Sequence, residues 1–142
     1  MIRTIHVAFA VLCLCASGPA SAGDFAYTCE VRHVYSLAQT GSLETFSESE
    51  LEKIMKKGSF SVSRETGALA GNSATLDTSL AKSTRVMNRG SKENSFTAVA
   101  DFGAFENGTH PYQLIEIEEF NQGANKPFVL MGARGIITGV CK

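Results

Sequence analysis

The chain has 142 residues, with 13 Lys and Arg against 14 Asp and Glu, for a formal net charge of −1. A balance this close to zero lacks the clustered positive charge that a nucleic-acid-binding surface needs and gives no electrostatic pull toward anionic lipid. Without tryptophan, and with 13 glycines and 3 prolines, the composition suits a turn-rich β domain of ordinary size.

The chain opens with one positive charge at Arg3 and then runs apolar from Ile5 to Ala16. Ser17-Gly18-Pro19 ends that run, and Ala20-Ser21-Ala22 supplies small side chains at the first and third positions before a cut. Charged start, short apolar core, breaker and small-x-small site are the parts of a secretory signal, with cleavage expected after Ala22. An apolar run of about a dozen residues is too short for the roughly 20 that a membrane-spanning helix requires. Leu12 and Leu14 precede Cys13 and Cys15, where a lipoprotein cysteine needs a small residue, so both cysteines are expected to leave with the signal. The remaining chain, Gly23 to Lys142, reads as a single β-rich domain of about 120 residues with no membrane span.

Two cysteines then remain, Cys29 and Cys141, near opposite ends of the domain. In an oxidising compartment such a pair, with no metal-ligand spacing, reads first as a disulfide. Two free buried thiols are the alternative, and a zinc pair is less favoured still, since neither has a second Cys within a few residues.

From Phe25 to Leu37 the sequence alternates with a period of two, placing Phe25, Tyr27, Cys29, Val31, His33, Tyr35 and Leu37 on one strand face. The reading is one long strand, or two with a bend, ending at Thr40-Gly41-Ser42. Ser47-x-x-Glu50 resembles a capping box, with Leu51, Ile54 and Met55 at helical spacing, Lys53, Lys56 and Lys57 in the last turns and Gly58 as a stop. This predicts one short helix from about Glu48 to Lys57.

Strands and turns fill the rest. Phe60 and Val62 alternate with polar neighbours, Glu65-Thr66-Gly67 makes a turn into Ala68-Leu69-Ala70, and Ala74 to Ala81 is polar and unassigned. Thr84 to Asn88, Ser95 to Phe102, Tyr112 to Phe120, Pro127 to Met131 and Ile136 to Cys141 read as further strands, with Asn107-Gly108 a strong hairpin signal. The alternation slips between Leu114-Ile115 and Ile117, which predicts burial on both faces or a bulge. About seven or eight strands with local turns predict an antiparallel up-and-down barrel or barrel-like meander, with a β-sandwich as the alternative. A disulfide would bring the first and last strands together.

Candidate chemistry is sparse. His33 is expected to be a core residue or to line a cavity, and His110, before Pro111, to occupy an exposed loop. Glu116 and Glu118 share a strand face and, with Glu119, read as a solvated outer surface rather than an acid–base pair. No Gly-x-Ser-x-Gly elbow is present, and Gly132, Gly135 and Gly139 do not form a phosphate loop. Asn107-Gly108-Thr109 fits a glycosylation sequon. No catalytic, cofactor-binding or metal-ligating residue is therefore assigned. Tyr27-Thr28-Cys29 resembles the opening of the secreted bacterial inhibitors of C-type lysozymes, and Gly132-Ala133-Arg134 is similar to part of their Ser-Gly-x-Arg/Lys-Tyr loop. The resemblance implies an exported small β-barrel with a cysteine near each end. Met131 and Gly135 stand in place of the serine and tyrosine, and the triplet lies near the C-terminus, so no inhibitory residue is carried over.

These features favour a non-enzymatic periplasmic or secreted binding protein, whose partner is a protein or a small apolar ligand. A small hydrolase using Glu116, Glu118 or His110 and an envelope structural component are the alternatives.

Overall fold

A computed structural model describes residues 25–45, 58–132 and 135–142. The predicted helix at Glu48–Lys57, the signal segment and residues 133–134 of the Gly132-Ala133-Arg134 triplet lie outside the described residues. Within them the protein is mainly β, with nine strands and no helix. They are β1 (Ala26–Leu37), β2 (Leu43–Thr45), β3 (Ser59–Ser63), β4 (Leu69–Gly71), β5 (Ser83–Arg89), β6 (Phe96–Asp101), β7 (Tyr112–Ile117), β8 (Lys126–Gly132) and β9 (Gly135–Cys141).

All pair antiparallel in one continuous sheet, ordered β4-β3-β1-β9-β8-β7-β6-β5, with β2 beside the distal end of β1. One sheet rather than two decides between meander and sandwich: the sheet curls into a half-barrel around its own core. Because β9 returns to β1, the strands follow a cyclic order whose break falls between β4 and β5. Among the described residues no ladder joins those two edges.

The connection 72–82 covers that break. Leu76 is fully buried in the common core. Thr78 behaves as a one-residue strand: its backbone N–H donates to the Leu69 carbonyl at 3.0 Å, and its hydroxyl oxygen accepts from the Leu69 N–H at 2.8 Å. The exposed edge of β4 is thereby satisfied without a ninth strand in the ring.

Strand parity explains the core. Tyr27, Cys29 and Val31 face inward on β1, as the alternation predicts. The β1–β9 register then shifts between Val31 and His33, a β-bulge at Arg32, and Val34 becomes the next buried residue. A bulge inserts one residue and flips every later side chain to the other face. His33 and Leu37 are consequently exposed and Tyr35 only half-buried, not part of the inner aromatic face, and Phe25, before the strand, is exposed as well. Gly139 admits the bulge, since a side chain there would collide with the Glu30 carbonyl and with the Phe128 ring. β7 runs without a bulge, Ile115 and Ile117 buried and Leu114 half-buried on the opposite face.

Cys29 and Cys141 form the disulfide, joining the first strand to the last. Thr28 and Lys142 exchange both backbone hydrogen bonds, so the adjacent Cys29–Cys141 position is a non-hydrogen-bonded pair. Side chains approach most closely at such positions.

Candidate functional site

The interior of the half-barrel is layered. One row across the sheet reads Val86, Ala98, Ile115, Leu130, Ile137 and Val34. Two residues nearer the open end, inward positions are held by Ala100, Gln113, Gly132 and Gly135. The first row is a packed apolar floor; the second, which Thr84 continues on β5, has no side-chain volume at Gly132 and Gly135. Gly135 has φ +138°, and a Cβ there would run into the Tyr35 carbonyl, so this position stays bare.

The missing volume leaves a cavity of about 740 Å³ at the mouth. Val34, Leu130 and Ile137 form its floor, the segment 71–80 one wall, and Phe102, Phe105, Pro111 and Tyr112 the other. Its rim carries apolar side chains that water contacts directly: Leu80 is 85% exposed, Phe105 52% and Tyr112 49%. A pocket of this size, apolar with a few polar groups, has the proportions of a small-molecule site.

Three polar features sit on the cavity wall. Gln113 donates through Nε2 to the Thr75 carbonyl at 2.9 Å, tying β7 to the segment that covers the seam. Its Oε1 and the hydroxyl of Ser73 are both shielded from water and have no hydrogen-bond partner. Asp77, the sole formal charge among the described lining residues, is held below the usual carboxylate range by hydrogen bonds from the Ser79 hydroxyl and backbone N–H.

The β6–β7 loop that forms the second wall carries a polar cluster. His110 Nε2 lies 2.8 Å from Asp101 Oδ1, and its ring stacks on Tyr112 with centroids 4.7 Å apart. The Gly103 N–H and then His110 hold the Asp101 carboxyl below its ordinary range. His110 is exposed, as expected from sequence, but its partners come from the hairpin pairing of Asp101 with Tyr112. The Asn107-Gly108 signal points to that hairpin but not to the register that brings Asp101 to Tyr112.

Glu116 and Glu118 share the outer face and line a shallow groove of about 540 Å³ with Arg32, His33 and Thr138. Glu116 accepts from the Ser95 hydroxyl at 2.8 Å. This groove and the His110 cluster are separate, so the residues proposed for a hydrolase do not form one constellation. Glu119 departs from the expected solvated surface. Its carboxylate accepts from the Tyr27 hydroxyl at 2.5 Å and from both terminal nitrogens of Arg64 at 3.2 Å, and Arg64 also lies over the Tyr27 ring. The chain turns immediately after β7, so Glu119 leaves the alternation that Glu116 and Glu118 follow.

Among the described residues no group of three His, Cys, Asp or Glu side chains is placed to hold a metal ion, and no helix is long and apolar enough to cross a membrane. No protein family, curated protein or solved structure matches this chain. The geometry of the site is therefore the ground for a functional reading.

Proposed function

We propose that this is an exported, non-enzymatic binding protein that holds a small apolar ligand at the mouth of its half-barrel. The observation that carries the reading is the cavity of about 740 Å³ between an apolar floor and an exposed apolar rim. Unfilled apolar volume forgoes the contacts a close-packed interior would make. Exposed Leu80 and Phe105 beside it would gain by covering a ligand. The signal-like first 22 residues and the Cys29–Cys141 disulfide support a periplasmic or secreted location.

Titration with N-phenyl-1-naphthylamine, an apolar fluorophore that brightens on leaving water, tests the site. The protein should show saturable one-site binding. Val34→Phe, which grows from the cavity floor, should weaken it about tenfold or more, as should the rim pair Leu80→Ser/Phe105→Ser, which leaves the core intact. Failure of the probe to bind, or full binding by both folded variants, overturns the proposal. Export is tested by fractionation and N-terminal sequencing, which should give a mature start at Gly23.

A further inference from the structure

An antiparallel sheet with one face on the core is expected to be polar on the other. Here one row of the outer face is not. The register aligns Tyr35 with Ile136, Ile136 with Met131, Met131 with Leu114 and Leu114 with Val99, across five neighbouring strands. Each of the five adjoins a buried residue in its strand and so points away from the core. Met131 is 42% exposed and the others are half-buried. The next outer row reads His33, Thr138, Val129, Glu116 and Thr97, polar at all but one position. An apolar row crossing a sheet is the surface that packs against a second sheet.

The charges beside the row indicate which sheet. Arg32 and His33 on β1 and Glu116 and Glu118 at β7 stand on opposite banks of the outer groove, with β9 and β8 between them. β8 and β9 are also the middle of the eight-strand order. A two-fold axis running along the strands between β8 and β9 exchanges those two strands, exchanges β7 with β1, and keeps every row at its own level. Two copies packed back to back about that axis set Met131 against the partner's Ile136 and Leu114 against the partner's Tyr35. His33 then meets the partner's Glu116. Arg32, bonded to Glu30 at 3.1 Å through one terminal nitrogen, has donors left for the partner's Glu118. An isologous contact needs a surface complementary to itself, and this one places apolar on apolar and basic bank on acidic bank. We infer that the outer face of β1, β9, β8 and β7 is the interface of a two-fold symmetric dimer. The outer side of a curled sheet is convex, so the contact is small, and dissociation in the range of about 1–100 µM is expected. The cavity lies on the inner side, so this inference and the ligand-binding function stand or fall separately.

Sedimentation equilibrium of the exported chain, from about 2 to 200 µM, tests the dimer and should show monomer and dimer in exchange. Met131→Glu, at an exposed position, should weaken association about tenfold or more while the urea midpoint stays unchanged. Glu116→Lys and His33→Glu should each weaken it severalfold by setting like charges together. Combined in one chain they should recover most of that loss, a rescue that damage to the fold would not produce. Monomer throughout the range overturns the inference. A dimer that Met131→Glu leaves intact overturns it too, because the contact then lies on another face. So does a double charge variant that associates no better than either single one, because the banks then do not face each other.

Discussion

The hydroxyl of Tyr27, on β1, donates to the carboxylate of Glu119 at 2.5 Å, a contact between residues 92 apart in sequence. Arg64, just past β3, the strand paired with β1, completes the cluster. The end of β7 is thus pinned across the curl to the paired strands β1 and β3, at the end of the half-barrel opposite the cavity. Tyr27→Phe keeps the ring that packs edge-on against Phe96 and removes only the hydroxyl, so it should cost about 1–2 kcal/mol in urea unfolding at neutral pH.

The same cluster sets an alkaline limit. Burial first, and then the hydrogen bond to Glu119, raises the Tyr27 phenol well above its ordinary range. The folded protein therefore holds this proton at pH values where the unfolded chain has released it. The resulting stability is complete below about pH 10 and declines above it, by up to about 1.4 kcal/mol per pH unit. Urea midpoints from pH 9 to 11 should fall less steeply for Tyr27→Phe than for the wild type. Parallel slopes would refute the assignment.

The Cys29–Cys141 bond spans 112 residues, so it constrains nearly the whole unfolded domain. In the chain-entropy model that restriction contributes about 4–5 kcal/mol. Both sulfur-bearing residues are fully buried. Dithiothreitol in native buffer should therefore leave the bond intact for long periods, and reduction should follow the unfolding transition when urea is added. The double variant Cys29→Ala/Cys141→Ala should lose stability of the entropic order. Rapid alkylation of native, reductant-treated protein would show that the bond is accessible.

Much of this fold is legible in the sequence because it depends on local alternation. Phe96, Ala98 and Ala100 face inward as their spacing requires, and the pairing of β1 with β9 follows from the two cysteines. What is hidden depends on events between strands. A single inserted residue at Arg32 reverses the parity of the rest of β1, and nothing in the run from Phe25 to Leu37 marks that residue. The polar stretch Ala74–Ala81 looks like a loop because its role is to cap an edge, which needs one hydroxyl and one buried leucine rather than a periodic pattern. The cavity is similarly concealed: it arises where Gly132 and Gly135 meet on adjacent strands, and small residues carry no hydrophobic signal.

The bulge makes an ordered pair of predictions for His33 and Val34. Uninterrupted alternation would put His33 inside and Val34 outside. With the register shift, His33→Ala should change stability by no more than about 0.5 kcal/mol, as for other surface positions. Val34→Ala should cost about 2 kcal/mol, through lost burial and an enlarged cavity. Urea unfolding of the two variants decides the question, and the reverse ranking would remove the bulge.

Thr78 offers a sharper test of how the seam is covered. It is buried, and its hydroxyl is the acceptor for the Leu69 N–H at 2.8 Å while its own N–H donates to the Leu69 carbonyl. Thr78→Val preserves shape and the backbone bond but leaves the Leu69 N–H without a partner in a dry site. The expected cost is about 1–3 kcal/mol, the penalty of an orphaned buried donor. The loss should also be local. Hydrogen exchange at Leu69 should accelerate more than at Cys29 or Ile137, because β4 is an edge and the central strands are held on both sides. If Leu69 stays as protected as in the wild type, Thr78 is not the group that completes the β4 edge, and the half-barrel must be closed there by other means.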